Sequence, residues 1–167
     1  MRTVYALTLA ALCVGSAFAA EPYEAQFSRM EMIDKFVYEG PQFIGTKTLP
    51  ELRKLGVLHE KVEKSPNPHI SDKVIEYRTL TFDGLEIYGD IPKPQKLAPI
   101  KVTVTSPKWK IQKGLSVGSP VTRITETLGR PNKTNDGSLE YCGETECVYF
   151  FTSNGKISKI EFRYYAD

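Results

Sequence analysis

The chain is poor in the residues that usually carry chemistry. It has two histidines, one tryptophan and three cysteines in 167 residues. His59 and His69 stand ten apart among polar residues and prolines, so they lack the i, i+4 spacing of a helical metal pair. No Gly-x-Ser-x-Gly elbow and no Gly-rich phosphate loop is present, which removes the familiar acyl-transfer and nucleotide-binding signatures. The carboxylate pairs Glu144/Glu146 and Asp83/Glu86 fall at expected turns and are read as solvated. Charge of one sign is also missing. The 22 Lys and Arg nearly balance the 20 Asp and Glu, so there is no basic stripe for nucleic acid and no polybasic anchor for a membrane surface. The chain is therefore read as a non-enzyme with no expected cofactor and no metal site.

The first twenty residues are present in a recognisable pattern. Arg2 supplies a positive start, Val4–Val14 an apolar stretch too short to span a bilayer, and Ala17-Phe-Ala19 a small-x-small cleavage site. Residues 1–19 are expected to be a secretory signal peptide, with the mature chain beginning at Ala20. A lipid anchor on Cys13 is disfavoured because Leu12 precedes it. Residues 20–167 are then one exported domain, periplasmic or secreted, of ordinary single-domain size. Loss of the signal leaves Cys142 and Cys147, an even pair in Cys142-Gly-Glu-Thr-Glu-Cys147. In an oxidising compartment that pair is expected to close a hairpin-like turn as a structural disulfide. A Cys-x-x-Cys redox motif at a helix start is absent.

Gly114–Asn132 reads as a short helix with clear ends. Ser119 is placed to cap it, Pro120 to open it, and Gly129 to end it at positive φ, with Pro131 beyond. Val121, Ile124, Thr125 and Leu128 share one face at helical spacing. A degenerate copy lies 73 residues upstream. Gly45-Thr-Lys-Thr-Leu-Pro-Glu-Leu-Arg-Lys-Leu-Gly56 aligns with Gly118–Gly129, and the same offset matches Phe36 with Trp109. Residues 21–39 stay open between two readings. One is a helix with Phe27, Met30, Ile33, Phe36 and Val37 on its buried face. The other is an extended entry from Phe36 to Ile44. Gly56–Lys73, with Pro66 and Pro68, reads as a long polar loop.

Strand patterns follow each helix. Val74–Phe82 and Leu85–Ile91 flank Asp83-Gly84, a hairpin turn pair. A Pro-rich loop, Pro92–Pro99, leads to Ile100–Thr105. In the second copy Ser138–Cys142, Cys147–Thr152 and Lys156–Tyr164 alternate about Ser153-Asn-Gly155. Tyr77 corresponds to Tyr141 in this alignment. The expected fold is α+β: two tandem helix-plus-three-strand repeats, about 35–105 and 108–165, forming a curved antiparallel sheet with short helices on one face.

The Lys113-Gly-Leu-x-Val-Gly-x-Pro-Val…Leu-Gly-Arg-Pro131 element, with the Tyr-rich strands and terminal Ile-x-x-Ile-x-Phe strand, resembles the helix-then-strands module of the beta-lactamase-inhibitor-protein-like fold. The small lipoprotein of outer-membrane assembly shares that module. The match covers Lys113–Tyr164, and the tandem arrangement is similar to the inhibitor protein. The resemblance implies a protein that binds other proteins through its sheet face or loops. It carries over no individual functional residue.

Aromatics crowd the second copy. Alternation turns Tyr149 and Phe151 away from Val148 and Phe150, so both faces of that strand are aromatic. Trp109 is expected to plug the core. Tyr149 and Phe151 on the sheet, and His59 and His69 in the long loop, are the candidate partner-binding residues. The expected function is an exported protein-binding module of the cell envelope, inhibitor- or immunity-like, whose partner is an envelope or exported protein. The alternative is a small-ligand or carbohydrate sensor using the aromatic face. A flat exposed aromatic patch favours the first; a deep apolar pocket favours the second.

Overall fold

The computed structural model describes residues 22–164, apart from 46, 68, 69, 71, 94 and 95. The expected signal peptide and His69 lie outside the described residues. Helices α1 (Tyr23–Glu39) and α2 (Leu49–Arg53) come first. Four strands follow: β1 (His59–Pro66), β2 (Val74–Phe82), β3 (Leu85–Lys93) and β4 (Lys96–Val104). A 3₁₀ turn at Gln112–Gly114 and helix α3 (Thr122–Leu128) lead into β5 (Lys133–Asn135), β6 (Ser138–Cys142), β7 (Cys147–Ser153) and β8 (Lys156–Arg163).

All eight strands form one sheet in the order β1-β2-β3-β4-β8-β7-β6-β5. Each half is an antiparallel meander of sequence neighbours, and β4 meets β8 antiparallel at the centre. The α+β class and the single antiparallel sheet are as expected. The helix-plus-three-strand unit is not formed, because each half contributes four strands. The extra strands are β1, which takes His59–Pro66 out of the expected loop Gly56–Lys73, and the short β5 (Lys133–Asn135) after α3. Pro66 misled the reading: at a sheet edge a missing N–H on the outward side costs no ladder bond. Similarly, Pro92–Pro99 is not a long loop, since β3 runs to Lys93 and β4 restarts at Lys96.

Alternation sorts the sheet into two faces. Leu80, Phe82, Leu85, Ile87, Val102, Val104, Val148, Phe150, Ile160 and Phe162 are buried on one face. Ile33, Phe36 and Val37 of α1, Leu49 and Leu52 of α2, and Ile124 and Leu128 of α3 join them in a single core cluster. Of the two readings of this segment the helical one is correct, from Tyr23 to Glu39, although Phe27 stays 43% exposed. Phe36 stacks on Phe162 at 6.4 Å. Trp109 plugs the core as expected, against Phe43 (5.1 Å) and Phe82 (5.7 Å), and donates its indole N–H to the Asp83 carbonyl at 2.7 Å. Tyr141 and Tyr77 do not correspond. Tyr141 lies in the core and donates to the Gly129 carbonyl (3.0 Å), whereas Tyr77, opposite Asp90, projects from the other face.

Helix ends differ in detail from the sequence reading. Gly129 closes α3 at φ 72°, as expected. Ser119 does not cap α3 and Pro120 does not open it, since the helix starts at Thr122. The Ser119 hydroxyl instead accepts the Ser116 N–H (3.2 Å), and Pro120 bridges to Lys156. The unforeseen cap is on α2, where the Glu51 carboxylate accepts both the backbone N–H (2.7 Å) and the hydroxyl (2.8 Å) of Thr48. The Thr-x-x-Glu spacing of the capping box is its sequence signal.

Cys142 and Cys147 are disulfide-bonded across the β6–β7 turn. The turn is not a freely solvated one. Asp34 of α1 accepts the backbone N–H groups of Glu144 (2.9 Å), Thr145 (3.4 Å) and Glu146 (3.0 Å), and Glu146 is itself buried. A Cβ on Gly143 would overlap the Asp34 carboxylate. The turn thus docks α1 onto the second half of the sheet.

Two outcomes follow from this packing. Asp34→Ala leaves a cluster of backbone donors without their acceptor and is expected to cost about 1–3 kcal/mol, read as a fall of several degrees in melting temperature. Burial pushes the Tyr141 hydroxyl up to about 12 and that of Tyr164 up as well. Folding favours the neutral phenols, so their stabilisation is complete below the ordinary tyrosine value and is lost as pH rises through about 12. A spectrophotometric tyrosinate titration should show these two groups ionising only as the protein unfolds.

Candidate functional site

The second face of the sheet carries no helix among the described residues. Its side chains come from the alternate positions of the strands that supply the core. Tyr77 and Thr79 of β2, Glu86 and Tyr88 of β3, Lys101 and Thr103 of β4, Lys159, Glu161 and Arg163 of β8, and Tyr149 and Phe151 of β7 all lie there, as the register requires. They are partly exposed except for Glu161, which is 7% exposed, and Arg163, which is open.

Two aromatic clusters occupy this face. Tyr77 and Tyr88 stack at 5.8 Å with nearly parallel planes. Burial is the main reason the Tyr88 hydroxyl is held above its ordinary value, followed by Tyr77, Glu63 and Asp90 nearby. Tyr149 and Phe151 form the other cluster on β7. The two are three strand spacings apart, about 14 Å. Both expected residues therefore sit where alternation placed them, away from buried Val148 and Phe150.

The rings of the second cluster are covered by cations. Lys159, directly opposite Phe151, places its ammonium 3.6 Å from the ring centroid. The Arg163 guanidinium sits 4.6 Å from the Tyr149 centroid. Glu161 holds both. It accepts from Arg163 Nε at 2.8 Å and pairs with Nη2 at 2.7 Å, while Lys159 Nζ is 3.7 Å away. The bond to Glu161 raises the Arg163 pKa further. The carboxylate is thereby a buried anion flanked by two cations, the arrangement in which a desolvated charge is tolerated. Sequence reasoning missed Tyr77, Tyr88, Lys159, Glu161 and Arg163 as members of this surface. The signal for the last three was the Lys-x-Glu-x-Arg alternation with Ile160 and Phe162 between them.

The expected loop residues are placed differently. His59 opens β1 at the sheet margin, opposite Thr81 and on the same face as Tyr77. It is remote from Tyr149, with four strands lying between β1 and β7 in the sheet order. On the helix side, Glu60 ties β1 to α2 through Arg53 (2.9 Å) and to β2 through Arg78. The hydrogen bond from Arg53 is the main reason its carboxyl is held below the usual range.

Among the described residues no group of three His, Cys, Asp or Glu is placed to hold a metal ion. No helix among them is long and apolar enough to cross a membrane. A cleft of about 360 Å³ opens on the helix side between α1 and the 3₁₀ turn, lined by Met32, Lys35, Gln112 and Lys113 among others. Phe36 and Leu128 line it too, so its walls mix apolar and charged side chains.

No protein-family model matches the chain, and no curated protein matches it. Among solved structures the chain is similar to the uncharacterized protein yfeY from Escherichia coli, with 12% sequence identity and a TM-score of 0.40. The match covers 72% of this chain and 91% of that one.

The geometry of the second cluster yields a direct test. Glu161→Gln removes the charge that positions both cations, so Arg163 should leave the Tyr149 ring. Nitration of Tyr149 by tetranitromethane, followed by peptide mapping, should then proceed faster than in the unaltered protein. An unchanged nitration rate would mean that Glu161 does not hold the guanidinium in place.

Proposed function

We propose that the chain is an exported, non-enzymatic binding protein that takes an envelope or exported protein on the open face of its sheet. The observation that supports this reading is the face itself: eight strands broad, uncovered by helix among the described residues, and set with Tyr77, Tyr88, Tyr149 and Phe151. Tyrosine and arginine are enriched at protein interfaces, where large amphipathic groups anchor binding. The resemblance to the beta-lactamase-inhibitor-protein-like module suggests an inhibitor- or immunity-like role. The signal-peptide pattern and the Cys142–Cys147 bridge suit an oxidising, exported location.

A carbohydrate or small-ligand sensor is the second reading. It draws on the near-parallel Tyr77–Tyr88 pair, which offers aromatic surface. Against it, Lys159 and Arg163 lie over Phe151 and Tyr149, occupying ring faces that a sugar would need for stacking.

The test uses the mature chain as bait in the envelope fraction of its source, beside a Tyr88→Ser/Tyr149→Ser variant. The reading predicts one saturable protein partner whose capture falls at least tenfold with the variant, while the melting temperature stays within a few degrees. Equal capture by both baits would remove the sheet face from the interaction. Binding of glycans, but of no protein, would favour the sensor.

A further inference from the structure

Strand β1 ends the sheet, and among the described residues nothing pairs with its outer edge. Seven of its eight residues are exposed. Beyond it, the Asn67 N–H bonds back to the Lys73 carbonyl (2.8 Å) in the same register as the β1–β2 ladder. Strand alternation then turns the backbone groups of Glu60, Val62 and Lys64 away from β2, toward solvent. Pro66 shares their parity, as a residue without N–H should.

Such an edge is an open template for another strand, and natural proteins guard it with charge. Here the charges have an order. Glu60-Lys-Val-Glu-Lys64 is self-complementary when read antiparallel about Val62. Against a second copy, Glu60 meets Lys64, Lys61 meets Glu63, and Val62 meets Val62. Opposite charges directly across a strand pair stabilise it, and like charges oppose it. Neighbouring registers fail on that rule. One slip sets Lys61 against Lys64; the slip in the other direction sets Glu60 against Glu63. The register that pairs the charges also places the outward backbone groups of Val62 opposite their own copies, as a hydrogen-bonded pair on a two-fold axis requires.

We propose that two copies of this chain associate through β1, antiparallel about Val62, into one continuous sheet. The apolar centre of the contact is Val62, which is 45% exposed in the single chain. Across a two-fold perpendicular to the sheet, opposed side chains share a face. The open faces of both copies therefore lie on the same side. Lys61 and Glu63, paired with each other at 2.9 Å on the exposed surface, each gain a second opposite charge. Glu60 gains Lys64 of the second copy beside Arg53 and Arg78. This association does not depend on the binding role of the open face.

Sedimentation equilibrium of the mature chain over a concentration series tests it, with two charge variants. Lys61→Glu alone sets a new carboxylate against Glu63 of the second copy, and Glu63→Lys alone sets a new ammonium against Lys61. Each touches only an exposed surface pair, so both should fold, which circular dichroism checks. The expected result is a dimer for the unaltered chain and at least a tenfold weaker association for each variant. Mixing the two variants should restore a dimer, because each then meets the opposite charge. A monomeric unaltered chain at the highest concentration would overturn the proposal. So would a dimer insensitive to both substitutions, or variants that stay monomeric when mixed.

Discussion

The fold depends on the seam between β4 and β8. Every other strand pair joins neighbours in sequence, and only this one joins the two halves. Val102 faces Phe162 and Val104 faces Ile160, and all four side chains are fully buried. Burial of such side chains contributes about 1.5–3 kcal/mol each, set against the entropy of closing a long chain segment. The core packing also crosses the seam. Phe36, which precedes the first meander, stacks on Phe162 of the second; Trp109, which precedes the second, packs on Phe82 of the first. Neither half encloses its apolar face alone.

The same seam makes the open face continuous. Alternating with the four buried residues are Lys101, Thr103, Glu161 and Arg163, which project the other way. Had the halves met with strand faces reversed, the core would be split and the aromatic clusters would lie on opposite sides. Instead Tyr77 and Tyr88 share a surface with Tyr149 and Phe151, joined by a threonine and charge stripe. The Glu161 carboxylate at its centre fixes two cations over two rings, so this surface is ordered before any partner arrives. Pre-ordered side chains reduce the entropic cost of association.

Much of this was legible in the sequence because local chemistry specifies it. Gly129 after Leu128, Asp83-Gly84 and Asn154-Gly155 mark a helix end and two hairpins, and each forms where expected. Period-two patterns set Tyr149 and Phe151 on the face opposite Val148 and Phe150, but not which of the two faces the helices cover. Strand β1 was not legible, since its alternation is charged rather than apolar and it contains Pro66. The docking of Asp34 on the disulfide turn was hidden for another reason: its contacts span more than a hundred residues of sequence. The Tyr77–Tyr141 correspondence failed because a matched residue type does not fix strand parity. His59 was placed in a loop and proves to belong to an edge strand, so it is held on the sheet rather than beside Tyr149.

The central claim is that one face of this sheet is sealed by helices and the other is free in the isolated protein. Aromatic proton relaxation in the presence of a soluble paramagnetic agent measures that directly. The rings of Tyr77 and Tyr88, and the uncovered edges of Tyr149 and Phe151, should broaden strongly, whereas Phe82, Tyr141, Phe150 and Phe162 should be protected. Equal protection of both sets would mean that the face is covered, and would contradict the binding role proposed for it.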